Sequence, residues 1–396
     1  MKRFFMFGIK SLALMVYFIS HCFIRKKNRW IFGEPHGFNN NSKYFFLDVI
    51  ENHTEIDAMW VGDKETVDNL LKKGLPAYSR YSIKGIWYCL TAKVYVVSWT
   101  TGDINFYLSG GALILNLWHG TPLKKCLWLE PQNIKVDNSG ILTRFVHHVE
   151  APISYYGNLF VQPPSEFYAG IFMDMFRVCK DKCIIDIYPR NKFLTKDKKD
   201  IKSFLKRYSY TEELNLIHSI EKYDKVMIYA PTFRDNGKDF IDASGLDFFK
   251  LDELLADKNY CMIVKFHPAT KYDASKFSSL RNIRFLSNKY DTYILMPFTD
   301  LMISDYSSII FDYTLLNKKV IAFAFDYDQY ISECRELLFD MREALDGVTF
   351  AHSAEELVNL IFLSEEKLGI MSDALYKRYW SPSENLFDSI QSKVNM

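Results

Sequence analysis

Short apolar runs alternate with stretches of helical periodicity along most of the chain. Ten of these runs have the length and composition of strands, at residues 30–32, 56–61, 94–98, 113–118, 159–161, 226–229, 261–266, 283–285, 301–304 and 320–323. Strands that alternate with helices are typical of a parallel sheet covered by helices on both faces. The pattern therefore predicts an α/β protein.

A polar, lysine-rich passage at residues 195–207 separates the fifth predicted strand from the sixth. A chain of 396 residues is longer than one hydrophobic core usually supports, so two domains are expected. We predict an N-terminal segment at 1–28, a first doubly wound domain at 29–195 and a second at 196–396. The second includes helices between 354 and 395.

The first 33 residues carry seven basic side chains and no acidic one. The apolar stretch within them shows no convincing signal-peptide cleavage site, and Lys10 interrupts it. On a helical wheel, an arc of about 100° contains the polar side chains Lys2, Arg3, Lys10, Tyr17, Ser20 and His21. We predict an amphipathic helix on the membrane surface, with its cations facing anionic headgroups. A membrane span and a buried first helix of the globular domain are the alternatives.

Overall charge and cysteine content narrow the choice of partner and compartment. The chain has 49 Lys and Arg against 48 Asp and Glu, which argues against a nucleic-acid partner bound by bulk charge. Seven cysteines at irregular spacings indicate reduced thiols, and the close pair Cys179 and Cys183 lacks a second pair for zinc. These features favour a cytosolic face.

Polar residues follow four of the predicted strands. Open α/β sheets bind ligands beyond the carboxyl ends of their strands, so these positions are the candidate site. The four strand ends present two histidines, a guanidinium and a pair of hydroxyls, namely His119, His267, Arg234, Ser307 and Ser308.

Each candidate has a chemical role and a structural alternative. Ser307 and Ser308 lie where a strand is followed by a helix. This position indicates an anion-binding site at the start of the helix, or only a helix N-cap. The imidazole of His119 suits proton abstraction from an alcohol, although a histidine at a strand end is often structural. His267 would meet a phosphate oxygen. Arg234 presents a planar fork for phosphate, or a surface ion pair with Asp235.

Several other patterns are weaker. Asp326-Tyr327-Asp328 has the spacing by which some glycosyltransferases hold a metal, but such tripeptides are common. His147, His148 and Glu150 would alternate faces on a strand, which disfavours a shared metal. No dinucleotide fingerprint, Walker A loop or nucleophile elbow is present. We predict no protein-bound metal.

Five motifs occur in one order along the chain. They are Trp118-His119-Gly120-Thr121-Pro122-Leu123-Lys124-Lys125, Tyr188-Pro189-Arg190-Asn191, Tyr229-Ala230-Pro231-Thr232-Phe233-Arg234-Asp235, His267-Pro268, and Ser304-Asp305-Tyr306-Ser307-Ser308 with Asp312. In this combination the chain, from about residue 30 to the C-terminal helices, resembles the CDP-glycerol glycerophosphotransferase family of teichoic acid and capsule synthesis.

The resemblance implies a GT-B-like fold, with two doubly wound Rossmann-type domains facing a cleft. It also implies transfer of a polyol phosphate from CDP-glycerol, or another CDP-linked polyol, to a hydroxyl group of a lipid-linked glycan or polyol-phosphate acceptor. CMP would be released at the cytoplasmic face of the membrane. No tightly bound cofactor is implied.

The resemblance also assigns residues by position. The catalytic pair would be His119 and His267. Donor-phosphate or nucleotide contacts would come from Thr232, Arg234, Asp305, Ser307, Ser308, Asp312 and Arg335. Acceptor-side positions would be Gly120, Thr121 and Lys124. This chain departs from the family pattern at Lys192, where Asp is expected, and at Glu336, where Gly is common.

Two other functions are considered. A GT-B glycosyltransferase would use a nucleotide sugar and release a nucleotide diphosphate. A membrane-bound scaffold would keep the fold without catalysis, but it would not need both His119 and His267. Because the additional large N-terminal domain of long polymerising members is not present, a primase or short-chain transferase is expected at least as readily as a polymerase.

Overall fold

The computed structural model describes residues 2–234, 240–267, 270, 272–287, 290–333 and 336–395. They form two compact units. Unit 1 comprises Met1–His119, Cys126–Arg190 and Tyr379–Met396, and unit 2 comprises Gly120–Lys125 and Asn191–Arg378. Arg335, a predicted donor contact, lies outside the described residues, as do Asp235 and Pro268 of the sequence motifs.

Unit 1 contains a six-stranded sheet in which all neighbouring strands are parallel. Its strands are β1 (Lys26–Phe32), β2 (Asp57–Gly62), β3 (Ala77–Ser79), β4 (Ala92–Val97), β5 (Leu113–Asn116) and β6 (Asn158–Val161). Their order across the sheet is β3-β2-β1-β4-β5-β6. The order reverses beside β1, which places a topological switch point at the carboxyl ends of β1 and β4.

Unit 2 contains a second parallel sheet of six strands. Its strands are β7 (Lys225–Ala230), β8 (Tyr260–Val264), β9 (Ile283–Phe285), β10 (Leu301–Ser304), β11 (Lys319–Phe323) and β12 (Thr349–Ala351). Their order is β12-β11-β10-β7-β8-β9, so the switch point lies between β7 and β10. The predicted pair of doubly wound α/β units is therefore confirmed.

All ten predicted strands are present, and two further strands were not predicted. These are β3 and β12, which have three residues each and lie at the edges of their sheets. Each of these two strands has one large apolar residue among its three, whereas β9, which is also a three-residue edge strand, alternates as Ile283-Arg284-Phe285 and was predicted.

Helices connect the strands. In unit 1 they are α1 (Lys2–Ser20), α2 (Asn40–Asn52), α3 (Lys64–Lys72), α4 (Ile83–Thr91), α5 (Pro131–Asp137), α6 (Ile141–Glu150) and α7 (Glu166–Phe176). The next helices are α8 (Pro189–Leu194), α9 (Lys198–Tyr208), α10 (Thr211–Ile220), α11 (Phe240–Ala243), α12 (Phe248–Asp257), α13 (Ile309–Thr314), α14 (Tyr327–Glu333), α15 (Met341–Ala344), α16 (Ala354–Ile361), α17 (Asp373–Tyr379) and α18 (Leu386–Asn395).

Each sheet supports its own apolar core. In unit 1 the core includes Ile31, Val61 and Tyr95 from three adjacent strands. In unit 2 it includes Ile303 and Ile321, packed with residues of the covering helices. These fully buried strands hold the loops at their carboxyl ends in place, and those loops carry the candidate site.

The C-terminal helix α18 belongs to unit 1, whereas the predicted second domain extended to residue 396. The ring of Phe387 lies 5.3 Å from that of Trp30 and stacks on His53. The backbone N–H of Leu386 donates to the Asp186 carboxylate at 2.9 Å. Burial of this apolar face against β1 and α2 is the reason that the last residues return to the first unit.

The segment containing His147, His148 and Glu150 forms the helix α6, so these side chains do not alternate between the two faces of a strand. The described residues contain no group of three or more His, Cys, Asp or Glu side chains that could hold a metal ion.

Helix α1 packs on the rest of unit 1 through Lys10, Tyr17 and Ser20, which belong to the polar arc that was expected to face headgroups. Tyr17 stacks on Phe106 with ring centroids 4.8 Å apart, and Lys10 Nζ donates to the carbonyl of Glu150 at 3.1 Å. Ser20 Oγ accepts from the backbone N–H of Gly110 at 2.8 Å. The predicted orientation is therefore wrong, because hydrogen-bonding partners on unit 1 hold these polar side chains.

As a consequence, α1 exposes apolar side chains on its other side. Exposed positions on α1 and the neighbouring α6 are Leu12, Met15, Val16, Ile19, Ile141, Leu142 and Phe145. We call these seven residues the apolar surface. Among the helices that the structure describes, none is long and apolar enough to cross a membrane.

Candidate active site

His119 stands at a sharp change of backbone direction after β5. The preceding residue, Trp118, has a left-handed φ of 54°, and Gly120 has a φ of 148°, a value that favours glycine. The N–H of Trp118 donates to the side-chain carbonyl of Asn116 at 2.8 Å. This turn sets the imidazole at the carboxyl end of the sheet in unit 1.

Two indole rings fix the imidazole of His119. The ring stacks on Trp99 at 3.7 Å and lies 3.9 Å from Trp118. Its Nδ1 is 3.3 Å from the carbonyl oxygen of Ser98. Because a carbonyl only accepts, Nδ1 carries the proton and Nε2 has the lone pair. Nε2 is therefore the atom that can take a proton from a substrate.

Burial is the main cause that lowers the pKa of His119 to about 3; the hydrogen bond to Ser98 opposes it, and the charges of Arg190 and His36 add to it. The imidazole is therefore neutral at physiological pH, which is the form that a general base needs. Because the unfolded chain binds this proton near pH 6.5 and the folded chain does not, acidification from pH 6.5 towards pH 3 reduces the stability of the fold.

We expect an imidazole NMR titration to show no midpoint for His119 between pH 5 and 8. Burial and the two stacked indoles disfavour the charged ring, as the lowered pKa indicates. The His119→Gln variant assigns the resonance by its disappearance. A midpoint between pH 6 and 7 would show that the ring is solvated and would contradict this geometry.

Asp103 and Glu34 support the histidine, and both were missed in the sequence. The Asp103 carboxylate accepts the backbone N–H groups of Ser98, Trp99 and Thr100 at 2.9–3.1 Å. Glu34 is 2% exposed, and burial, then the charge of Asp103, raises its pKa well above the ordinary value. Glu34 lies two residues after the end of β1. The expectation that ligands bind beyond the carboxyl ends of strands could therefore have identified it.

Asn41 joins two of the sequence motifs within unit 1. Its side-chain amide donates to the carbonyl of Trp118 at 2.8 Å, and its carbonyl accepts the N–H of Arg190 at 3.3 Å. Arg190 in turn donates to the side chain of Asn40 at 2.7 Å. Asn41 is completely buried. The run of asparagines after β1 gave no sign of this role, since its partners lie far away in sequence.

In unit 2, Asp305 connects the loops that follow β7 and β10. One carboxylate oxygen accepts the N–H groups of Thr232 and Tyr306 at 2.8 and 2.7 Å. The other accepts Arg234 at 2.9 Å. Asp305 is 2% exposed. It organises the candidate donor loops, and as a carboxylate that only accepts hydrogen bonds it has no proton to donate to a phosphate.

Arg234 does not present the fork that was predicted for phosphate. Its Nε and one Nη bind both oxygens of Asp326 at 2.7 and 2.9 Å, and its other Nη donates to the carbonyl of Thr232 at 2.6 Å. Tyr306 and Tyr330 lie against the guanidinium. The side chain is 2% exposed. Arg234 is thus a buried structural ion pair, and its partners are Asp305 and Asp326 rather than Asp235.

Two further acidic positions also have structural partners. Asp326, the first residue of the Asp-x-Asp pattern, accepts Arg234 and the hydroxyl of Tyr306, so it is not a metal ligand in this structure. Asp312 is fully buried and accepts the amide of Asn191 at 2.8 Å and the hydroxyl of Tyr293. Asp312 therefore holds α13 to the Tyr-Pro-Arg-Asn segment.

The remaining donor candidates lie at the ends of three adjacent strands of unit 2. Ser308 caps α13 without a side-chain hydrogen bond, and Ser307 Oγ accepts the N–H of Ile309 only at 3.4 Å. His267 is exposed after β8, with its ring 5.7 Å from Phe233. Helix capping therefore does not explain why two serine hydroxyls lie at the start of α13.

The segment with the predicted acceptor-side residues Gly120, Thr121 and Lys124 belongs to unit 2. The backbone of Lys124 pairs with Leu337 in an antiparallel bridge, and its Nζ lies 5.1 Å from the Tyr330 ring centroid. Thr121 is fully buried. Glu336, which replaces a common Gly, forms an ion pair with Lys125. The structure thus places Lys124 against Tyr330, whose ring also contacts Arg234, and assigns the segment to unit 2 instead of the expected unit 1.

Together, these contacts divide the candidate residues into two groups. His119, with a lone pair on Nε2, is equipped for proton transfer in unit 1. Ser307, Ser308, His267 and Thr232 can donate hydrogen bonds to an anion in unit 2. Arg234, Asp305 and Asp312 keep the loops of unit 2 in place.

The sequence profile of one protein family matches most of the chain. The family is described as CDP-Glycerol:Poly(glycerophosphate) glycerophosphotransferase, and its profile matches residues 15–373. This range includes both sheets and every candidate site residue. The family that the five motifs indicated is thus confirmed.

Two curated relatives match over similar lengths. A teichoic acid glycerol-phosphate transferase of Staphylococcus aureus (strain NCTC 8325 / PS 47) is 27% identical over 81% of this chain and 80% of its own. A teichoic acid poly(glycerol phosphate) polymerase of Bacillus spizizenii (strain ATCC 23059 / NRRL B-14472 / W23) is 27% identical over 88% of this chain and 87% of its own.

A solved structure shares the fold. The H548A variant of the wall teichoic acid polymerase TagF superposes with a TM-score of 0.70 at 20% identity. The match covers 94% of this chain and 89% of that chain. At this identity the likeness shows the architecture of the two α/β units.

Proposed function

Because the chain belongs to the CDP-glycerol:poly(glycerophosphate) glycerophosphotransferase family, we propose that it transfers glycerol phosphate from CDP-glycerol to a hydroxyl group of a membrane-linked acceptor and releases CMP. The observation that carries this proposal is the family match over residues 15–373. It disfavours a glycosyltransferase that uses a nucleotide sugar. The oriented imidazole of His119 disfavours a scaffold without catalysis.

In the proposed reaction, unit 2 binds the donor. Ser307 and Ser308 lie at the start of α13, where N–H groups and hydroxyls favour the negative charge of a diphosphate. His267 and Thr232 extend this group along the adjacent strand ends. Arg234 does not contact the diphosphate in this proposal, because its N–H groups bind Asp305 and Asp326. Its role is to hold the loop that presents Thr232.

Unit 1 supplies the base. The acceptor hydroxyl attacks the distal phosphorus of the donor, and its proton moves to Nε2 of His119. The bond from that phosphorus to the oxygen of CMP breaks, and CMP leaves with the electron pair. Neutral imidazole can take the proton while the new P–O bond forms, and such assistance contributes about 10² to 10⁴ in rate.

One experiment tests the proposed activity and the donor. The purified protein is incubated separately with CDP-glycerol, CDP-ribitol and a UDP-sugar in the presence of bacterial membranes, and the products are analysed by mass. We expect CMP and a glycerol phosphate addition with CDP-glycerol. Release of a nucleotide diphosphate from the sugar donor, without turnover of CDP-glycerol, would contradict the proposal and favour a glycosyltransferase.

We further propose that the enzyme works on the cytoplasmic face of a membrane, attached through the apolar surface of α1 and α6. The most exposed members, Ile141 and Leu142, are 86% and 76% accessible. Among the seven basic side chains of the first 33 residues, those of Lys26 and Lys27 are exposed, which favours anionic lipid. This surface replaces the predicted cationic face as the contact with lipid.

Point variants test membrane attachment better than truncation does. Deletion of residues 1–27 would also remove Arg25, whose guanidinium donates to the carbonyls of Cys89, Ala92, Leu108 and Gly110. We expect Leu12→Glu to lower binding to anionic vesicles at least tenfold, because a buried apolar side chain of this size contributes about 1.5–3 kcal/mol.

The matched control is Leu71→Glu, which replaces a leucine that is 54% exposed on α3. Co-sedimentation with vesicles measures both variants. Equal vesicle binding by the two variants would show that the apolar surface does not contact lipid.

A further inference from the structure

The indole ring of Trp99, on which the candidate base stacks, is held separately from the backbone that carries it. The backbone N–H of Trp99 donates to the carboxylate of Asp103 at 2.9 Å. Trp99 is 38% exposed, so packing alone leaves the direction of its ring open. Contacts of the ring with the loop after β1 therefore decide where the stacked imidazole of His119 lies.

Two residues of the loop after β1 contact this ring. The side chain of Trp99 donates a hydrogen bond to Glu34, and its only donor is the indole Nε1–H. His36 meets the ring edge-on, with ring centroids 5.9 Å apart and the ring planes at 84°. A hydrogen bond at Nε1 restricts the rotation of the indole, which the edge-on ring contact alone does not do.

Glu34 also contacts Ser98, whose carbonyl oxygen lies 3.3 Å from Nδ1 of His119. The hydroxyl of Ser98 donates to Glu34. The same hydroxyl oxygen accepts the backbone N–H of Ser42 at 3.1 Å and lies 2.8 Å from the Ser42 hydroxyl. Ser42 and Ser98 are both fully buried. Glu34 is therefore bonded to both residues of the loop after β4 that hold the imidazole.

The carboxyl of Glu34 lowers the stability of the fold where it lies. The residue is 2% exposed, and its Oε2 has no hydrogen-bond partner among the residues that the structure describes. A buried polar atom without a partner is unfavourable, and an apolar side chain of similar length would avoid this penalty. Residues that lower stability in this way are common where activity requires them. The position of Glu34 beside the candidate base therefore indicates a role in activity.

We propose that Glu34 is a positioning residue for the candidate base: through Trp99 and Ser98 it keeps the imidazole of His119 in the orientation that takes the proton of the acceptor hydroxyl. The inference rests on the proposed function and adds a residue that acts through others, without a contact of its own to the substrate. Its effect therefore belongs to the chemical step, and it should alter kcat and leave the KM for the acceptor unchanged.

Two variants of Glu34 separate a positioning role from a structural one. Glu34→Met keeps the length of the side chain and removes both oxygens. We expect it to lower kcat for CMP release about 10- to 100-fold, because the imidazole is no longer held in place. Its thermal unfolding midpoint should equal or exceed that of the wild type, because the unpaired oxygen is gone. Glu65→Met, at an exposed glutamate of α3, is the matched control and should keep the wild-type kcat.

Glu34→Gln tests whether an oxygen that accepts hydrogen bonds is sufficient. Burial raises the pKa of Glu34 well above its ordinary value and so favours the neutral acid, which a glutamine amide resembles in shape and charge. This variant should keep the wild-type kcat. A Glu34→Gln variant as slow as Glu34→Met would overturn the inference, since the carboxyl would then act through its proton or its charge.

Three results with Glu34→Met would also overturn the inference. An unchanged kcat would show that the imidazole does not depend on Glu34. A raised KM for the acceptor at unchanged kcat would show that Glu34 contacts the acceptor itself. A lowered unfolding midpoint together with lost activity would show that Glu34 only supports the fold.

A measurement without substrate separates this inference from the proposed reaction. Hydrogen exchange of the Trp99 indole N–H, followed by NMR and assigned with Trp99→Phe, should be about tenfold faster in Glu34→Met than in the wild type and Glu34→Gln. Equal exchange in all three would overturn the positioning contact, even if CMP is released from CDP-glycerol. The expected exchange in a protein that releases no CMP would retain the contact and overturn the transfer reaction.

Discussion

Replacement of His119 by alanine is expected to lower the rate of CMP release about 10²- to 10⁴-fold, because the acceptor hydroxyl loses its general base. The affinity for CDP-glycerol should change less than twofold, since the candidate donor contacts Ser307, Ser308 and His267 belong to unit 2. Initial rates of CMP release and calorimetric titration with CDP-glycerol measure the two effects.

His218→Gln is the matched control for this variant. His218 is 73% exposed on α10, and its side-chain partner among the residues that the structure describes is Glu221. It should keep the wild-type rate. If His119→Ala releases CMP within threefold of the wild type, the imidazole is not the base and the role assigned to unit 1 is wrong.

Replacement of Arg234 by alanine is expected to destabilise unit 2 by about 3–5 kcal/mol, because it removes the cationic partner of the buried Asp305 and of the partly buried Asp326. The loops after β7 and β10 should then open more often. Hydrogen exchange of peptides that contain β7 and β10 measures this as a loss of protection of at least 100-fold.

Arg281→Ala provides the comparison for Arg234, since Arg281 is exposed in the same unit. A surface substitution of this kind should change stability by less than about 0.5 kcal/mol. If Arg234→Ala keeps its hydrogen-exchange protection but loses affinity for CDP-glycerol, the structural role of Arg234 is wrong. The guanidinium would then leave Asp305 and Asp326 and bind the phosphate of CDP-glycerol.

The sequence was most informative about the candidate site residues that directly follow a strand. Both sheets consist largely of buried parallel strands, whose continuous apolar runs are conspicuous, so the strand ends could be located from the sequence. His119, Ser307 and His267 were selected as candidates in this way. The edge strands β3 and β12 were missed because each has one large apolar residue, whereas the equally short β9 alternates as Ile283-Arg284-Phe285.

The contacts of Arg234 could not be read from the sequence. Asp326 follows it by 92 positions, and only the order of strands across the sheet brings their loops together. The neighbouring Asp235 was the obvious partner by distance along the chain. Asn41 and Asp103 were not predicted for a related reason. Their side chains form hydrogen bonds with backbone groups, and the sequence pattern does not show which backbone groups those are.

The N-terminal helix shows that a helical wheel identifies two faces but not their surroundings. Lys10, Tyr17 and Ser20 form a polar arc, and polar arcs usually face water or headgroups. Here the partners of these side chains are Glu150, Phe106 and Gly110 of unit 1. The apolar face is left exposed as a result.

The most direct test of the central claim follows both phosphorus atoms of CDP-glycerol by ³¹P NMR during incubation with the wild-type protein and membrane acceptors. The account predicts that CMP and a new glycerol phosphodiester appear in equal amounts, and that His119→Ala suppresses both signals together. Accumulation of CDP, or of CMP with free glycerol phosphate but no phosphodiester, would contradict it.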